Sequence, residues 1–207
     1  MTTLDHPYPT QLIDRWTLRD GRRVTLRPVL PQDAELEQSL VRGLSMEARY
    51  NRFFVPIREL SKNVLERLTH VDHQHHVALV AETFVDGVAH AVGEAQYVVD
   101  ETRGECEFAV VVADEWLRHG IATRLVETLI EHARDAGWQT MVGDVLATND
   151  SMLTMMRKLG FSVRRQPGDA RLVSVRFELR AEPLEMQDFF ARPAMPRAVP
   201  MPTAAAL

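Results

Sequence analysis

The sequence predicts an α/β fold, a single domain built on a mixed sheet with helices on both faces. Three observations predict it. Short runs rich in Val, Ile, Phe and Tyr recur along the chain, and some alternate apolar with polar residues. Between them lie segments of helical periodicity, the longest following Gly120. Gly and Pro stand where one kind of segment gives way to the other. A chain of 207 residues has room for one domain of about 150 residues plus ends, enough to enclose a core.

The elements follow in order. Trp16 to Leu18 and Val24 to Arg27 flank Asp20-Gly21, a dipeptide suited to the positive φ of a hairpin turn. Pro28 and Pro31 end the second of these strands. The pattern is helical from Gln32 to Leu44, a second helix covers Met46 to Phe54, and a third fits Ser61 to Leu68 with Ser61 as N-cap. Strands then span Val77 to Ala81, Val88 to Val99 and Glu105 to Val112, with turns at Gly87 and from Asp100 to Gly104. After Gly120 a stripe of Ile121, Leu125, Leu129 and Ala133, with Val126 and Ile130 beside it, describes a helix lying on a sheet, closed by Gly137. Thr140 to Leu146 reads as a short buried strand, and Ser151 to Lys158 as a helix stopped at Gly160. Val173, Val175, Phe177 and Leu179 alternate with polar residues in a half-buried strand. The domain therefore runs from about Thr17 to Arg180. Beyond Pro183 the composition shifts to Pro, Ala, Met and Arg, which predicts a disordered tail.

Composition narrows the function classes. Hydrophobic residues at 45% and charged residues at 26% are ordinary globular values. A net charge of −5 and a pI near 5.9 argue against wrapping nucleic acid or lying on an anionic membrane, and favour cationic partners such as amines. Cys106 is the only cysteine, so no internal disulfide forms and a reducing cytoplasm fits. Asp5, His6, Asp14 and Arg15 interrupt any secretory h-region. No apolar run approaches the roughly eighteen residues of a membrane helix. These features predict a soluble cytoplasmic protein.

Chemistry concentrates between Glu107 and Phe161. An apolar strand with an acidic start ends in a basic turn, Arg118-His119-Gly120, that opens the long helix with Ile121, Ala122 and Thr123. The first N–H groups of a helix lack internal acceptors, and the helix dipole favours negative charge there. Gly120 and the small Ala122 let a phosphate approach, and Arg118 and Arg124 add charge on either side, so a pyrophosphate suits the turn. A plain surface turn has the same local pattern. His70, His73, His75 and His76 crowd one loop, but loop histidines are usually solvated and no Cys lies nearby, so no metal site is assigned. Met152, Met155 and Met156 follow helical spacing and suit packing against a core or an apolar ligand chain.

Taken together, Leu117, Gly120 and Ala122 at a strand-to-helix junction, and Asn149 followed by a helix ending in Gly160-Phe161, resemble the GNAT acetyltransferase superfamily. The stretches LRDGRRVTLRPVLPQDAE, VRGLSMEARYNRFF and CEFAVVV are most similar to the acetyltransferase domain of bacterial Pat-type protein lysine acetyltransferases. The resemblance implies a single-domain, mostly antiparallel central sheet over residues 17–181, with an N-terminal arm at 1–16 and a tail at 182–207. It implies acetyl-CoA as co-substrate and an amine acceptor, most simply a protein lysine, with a small-molecule amine acetyltransferase or a silent acyl-CoA sensor as alternatives. Val110, Val111, Val112, Leu117, Arg118, His119, Gly120, Ile121, Ala122, Thr123, Arg124, Asn149, Met152 and Met156 then face the cofactor. A bulge at Val110 to Val112 is expected to splay the strand, with the Val110 N–H polarising the thioester carbonyl.

The resemblance also places a general base at Glu107, beside Phe108 and the valines, whose burial is expected to raise its pKa. A lysine amine, with a pKa of about 10.4, arrives protonated and needs such a base. Glu105, on the same face, and Glu94, in the preceding strand, are the other carboxylates considered for the role. Arg49, Tyr50 and Arg52 fall on the acceptor side. Two positions depart from the family pattern: Leu117 replaces a Gln or Arg of the pyrophosphate loop, and Met156 replaces the Tyr that often serves as general acid.

Overall fold

The computed structural model describes residues 8–166 and 168–179. The chain opens with β1 (Asp14–Thr17) and β2 (Arg23–Pro28), turned at Gly21 with φ +88°. A 3₁₀ turn at Pro31–Asp33 leads into α1 (Ala34–Gly43), followed by α2 (Met46–Phe53) and α3 (Lys62–Thr69). Then come β3 (His76–Val85), β4 (Val88–Asp100), β5 (Glu105–Val112) and α4 (Ile121–Asp135), and finally β6 (Thr140–Leu146), α5 (Asp150–Lys158), β7 (Ser162–Arg165) and β8 (Leu172–Glu178). The expectation of a disordered tail falls on residues outside the described ones.

The strands form one sheet in the order β1-β2-β3-β4-β5-β6-β8-β7. Every neighbouring pair is antiparallel except β5 and β6. The sheet is therefore mixed and mostly antiparallel, as expected. Alternation along β5 sends Cys106, Phe108 and Val112 to one face, where they join Leu125 and Leu129 of α4 and Leu153 and Met156 of α5 in the main core. Val111 faces the other way and packs with Leu40 and Leu44 of the α1 segment. Helices thus cover both faces. Among the described residues no helix is long and apolar enough to cross a membrane.

Local chemistry accounts for the element ends. Ser45 and Ser61 accept the backbone N–H of Ala48 and Val64 and so cap α2 and α3. Phe54 stops α2 in the left-handed region, at φ 57°. α1 starts at Ala34 rather than Gln32, because Pro31 sets a tighter turn and Asp33 is buried against the Arg27 guanidinium, at 2.6 and 2.9 Å. Three strands differ from the sequence reading, the first being β1, which starts at Asp14 rather than Trp16. β3 continues past Ala81 to Val85, and β7 was not expected at all. β7 is a polar edge strand, SVRR, whose side chains carry no apolar alternation.

Candidate active site

The two strands that lead to the site part from each other. β5 and β6 pair only at Glu105↔Thr140, Cys106↔Met141 and Glu107↔Val142. Beyond Glu107 the two ladders diverge, leaving Phe108 to Val112 unpaired on the β6 side. On the other side β5 stays in unbroken register with β4, from Asp100↔Glu105 to Gly93↔Val112. The bulge expected at Val110 to Val112 is therefore absent. The one shift recorded between β3 and β4 lies at Ala81/Glu82. The fork comes instead from β6, which turns to pair along its whole length with β8. Gly143 sits where the strands begin to separate. A Cβ there would lie 2.8 Å from Phe108 Cε1, so glycine is what admits the Phe108 ring. That ring continues into a row with Phe161 and Phe177, at centroid spacings of 5.3 and 5.1 Å.

The open edge runs to the basic turn. After the 3₁₀ turn Asp114–Trp116, Arg118 takes φ 62° and Gly120 takes φ 79°, and α4 begins at Ile121. No side chain caps α4, so the first N–H groups, from Ile121 to Thr123, stay available to an anion. The space beside Gly120 is open, with nothing within 4 Å of a built Cβ. Leu117 is 49% exposed at the mouth of the turn. Arg118 is also exposed. Arg124, expected to supply free charge, is ion-paired to Asp14 and lies over the Trp16 ring at 4.6 Å. His119 is held at 2.9 Å by Arg22 from the β1–β2 hairpin.

The three candidate carboxylates stand apart in their surroundings. Glu105 is bound to Arg176 at 2.5 Å, beside Thr140, which donates to Glu178. Glu94 is buried and paired with Arg52 at 3.2 Å beneath α2. Glu107 is exposed, and among the described residues no hydrogen bond or ion pair engages it. The burial expected around Glu107 is missing because Phe108 and Val112 face the opposite side of the sheet. Val98, its partner on β4, is itself 46% exposed. Alternation puts Asp144 on the Glu107 face, one residue pair beyond Val142. Asp144 is exposed, accepts from Gln166 at 3.4 Å, and was not singled out in the sequence.

Other expected residues serve the frame as well as the site. Asn149 caps α5 by accepting the Met152 N–H at 3.0 Å. Met156 is fully buried in the core, whereas Met152 is only partly covered. Ile121, Val111 and Val112 are buried too, so only their backbone can face a ligand. Of the acceptor-side group, Arg49 donates to the carbonyls of Val41, Arg42 and Leu44 and closes the end of α1. Tyr50 is exposed. In the histidine loop, Asp72 accepts the N–H groups of Gln74, His75 and His76. Although burial raises its pKa, these bonds hold it down at about 2. His75 pairs with Asp72 and Glu101, and His76 with Gln96. Among the described residues no group of three or more His, Cys, Asp or Glu is placed to hold a metal.

Comparison with known proteins bears on this geometry. Residues 23–162 match the acetyltransferase (GNAT) domain model. An acetyltransferase of Pseudomonas aeruginosa is 35% identical over 168 residues, covering 80% of this chain and 90% of that protein. The acetyltransferase Pat of Mycolicibacterium smegmatis is 31% identical over 155 residues, covering 74% of this chain but 44% of its own length, so this chain spans less than half of it. The GNAT domain of S. lividans PAT superposes with a TM-score of 0.74 at 27% identity, covering 83% of this chain and 99% of that domain. A strand that forks from its parallel neighbour, runs to an uncapped helix start and is matched over most of its length by such relatives identifies the chain as a member of the GNAT acetyltransferase family.

Proposed function

We propose that this chain carries out the acetyl-CoA-dependent acyl transfer of its family, moving the acetyl group to the ε-amine of protein lysines in a ternary complex, with Glu107 as general base. The observation that carries the reading is the isolation of Glu107 at the fork. It is the one carboxylate of the three that is exposed and without a partner, and it stands where β5 leaves β6.

The cofactor phosphates fit the turn from Arg118 to Thr123, and its thioester arm fits the open edge from Phe108 to Val112. A backbone N–H of that edge, such as Val110, is suited to polarise the thioester carbonyl. Glu107, directly or through a water, takes a proton from the lysine ammonium. The freed nitrogen lone pair attacks the carbonyl carbon, the C–N bond forms and the C–S bond breaks, CoA leaves as a thiolate, and the nitrogen gives up its second proton to solvent as the neutral amide forms. Met156 has no proton to give and is buried, so solvent protonates the thiolate. The similarity to Pat-type domains supports lysine as acceptor, and the net charge of −5 suits a cationic one. The buried, unpaired Cys106 suits a reducing cytoplasm.

Calorimetry with acetyl-CoA, followed by acceptor screening of lysine peptides, polyamines and amino acids, tests the reading. CoA release with lysine peptides supports it. Turnover confined to small amines moves the acceptor class, and binding without turnover on any acceptor makes the chain a sensor. A chain that binds no acyl-CoA removes the proposal altogether.

A further inference from the structure

One cation beside the phosphate turn lies outside the strand-turn-helix motif. Arg22 is on the β1–β2 turn, and its guanidinium carbon sits 3.9 Å from the centroid of the Trp116 ring. Its Nη2 lies 2.9 Å from His119 Nε2. Arginine has no acceptor, so in this contact the guanidinium donates and Nε2 accepts. Asp20, on the same turn, holds the guanidinium at 2.6 to 2.8 Å, and the two side chains are 38% and 35% exposed. Hydrogen bonds from the Arg22 side chain and from its backbone N–H keep the Asp20 carboxyl below the ordinary range. A second contact follows the same plan, with Arg124 laid on Trp16 and paired with Asp14. The hairpin is therefore fastened at two places to the segment that carries the phosphate turn.

The two fastenings differ in what they leave free. Arg124 reaches from α4 back to the hairpin, and its charge is matched by Asp14. Arg22 reaches from the hairpin to His119, the residue before Gly120, where the space around the turn is open. A guanidinium held over an indole face spends that face on the ring and leaves its N–H edge for oxygen acceptors, and it is with this edge that arginine grips phosphate oxygens. Asp20 occupies that edge with a carboxylate, the same charge type that a phosphate would bring.

We propose that the β1–β2 hairpin forms a second wall of the phosphate site, and that Arg22, steadied by Trp116 and His119, exchanges Asp20 for phosphate oxygens of acetyl-CoA. This rests on the acetyl-CoA reading above. Asp20 then acts as an internal competitor that the cofactor displaces, and cofactor affinity depends on a residue far in sequence from the motif.

The test is calorimetry of the full chain with acetyl-CoA, acetyl-dephospho-CoA and acetyl-pantetheine, on wild type and the variants R22A, R22K and D20N. Arg22→Ala is expected to weaken acetyl-CoA binding about tenfold, within the range of one charge-assisted hydrogen bond, with the loss shrinking at high salt. Arg22→Lys restores part of the affinity, and Asp20→Asn tightens it. An equal loss with the dephospho form assigns Arg22 to the pyrophosphate, and a loss seen only with acetyl-CoA assigns it to the 3′-phosphate. Turnover of acetyl-pantetheine, which has no phosphate, stays unchanged. Arg22→Ala within twofold of wild type for both nucleotides overturns the proposal, as does an equal loss with acetyl-pantetheine. Should Arg22→Ala melt early, Arg22→Gln, which keeps the aliphatic stem without the charge, takes its place under the same criteria. A wild-type chain that binds no acetyl-CoA fails the cofactor reading itself, whereas wild-type binding with an indifferent Arg22 fails only the hairpin.

Discussion

The proposal of Glu107 as base rests on the company each of the three carboxylates keeps. Glu94 is buried with Arg52 against it, so the pair holds α2 on the sheet, and removing either partner would leave a buried charge exposed to a low dielectric. Glu105 is tied to Arg176 at the edge of the same face. Glu107 alone can turn toward an arriving ammonium without first breaking a bond. Glu107→Gln is expected to lower kcat by about 10²- to 10⁴-fold, the usual share of a positioned general base. Acetyl-CoA affinity should stay within about twofold, since the amide changes no group at the phosphate turn. Stopped-flow detection of CoA release and calorimetry measure the two quantities separately. Glu105→Gln should leave kcat nearly intact, because it breaks a part-exposed ion pair of the kind worth about 1 kcal/mol or less. If Glu105→Gln rather than Glu107→Gln abolishes turnover, the base has been assigned to the wrong residue.

The fork is a property of elements rather than of residues, and Gly143 is where it can be tested. Gly143→Ala puts a methyl 2.8 Å from the Phe108 ring and 3.2 Å from the Phe108 carbonyl. The ring must swing toward Phe161 or the strands must part further. Overpacking of this kind costs about 1–3 kcal/mol, read as a lower urea midpoint at constant m-value. The sequence shows much of this architecture because most element signals are local. β5 and β6 carry continuous apolar runs bounded by turns, and α4 shows its stripe between Gly120 and Gly137, so the boundaries read for β5 and β6 match the structure. β7 lacked such a signal, being polar and at an edge. The fork was expected, but from the wrong cause. A bulge would have been local to β5, whereas the divergence depends on how far β6 pairs with β5 before following β8, a matter of register between distant segments. The site divides the same way. The basic turn was legible in consecutive residues, but Arg22, Asp144 and the Arg52–Glu94 pair owe their places to contacts that no sequence spacing records.

At the scale of the whole molecule, folding has left ionisable groups in the core that pull stability in opposite directions with pH. His132, joined to Tyr97 at 2.7 Å, and His73 have pKa values lowered by burial. Below about pH 6.5, the reference value for free histidine, the unfolded chain binds more protons at these sites than the folded one. Stability from them is therefore lost as pH falls through that window. Glu37 acts the other way. It lies in α1, is 2% exposed, and its Oε1 has no hydrogen-bond partner. Burial first, and then the charges of Glu94 and Asp33, push its pKa well above the ordinary carboxylate value, against the opposing pull of Arg52 and Arg27. Above the unfolded pKa of about 4.3, the unfolded chain releases this proton while the folded chain keeps it. Stability is lost as pH rises from there until the folded pKa is passed. Glu37→Gln removes that loss while keeping the shape of the side chain. The variant should therefore gain on wild type as pH rises above about 4.3, by about 1.4 kcal/mol for each pH unit until the folded pKa is passed, and be the more stable chain at pH 7. The difference should vanish near pH 4 and grow with rising pH. Urea unfolding of both chains at half-unit pH steps measures it. A difference that stays flat across the range would mean that Glu37 is already ionised in the folded chain. A difference of opposite sign would mean that its carboxylate holds Arg52 or Arg27 in place.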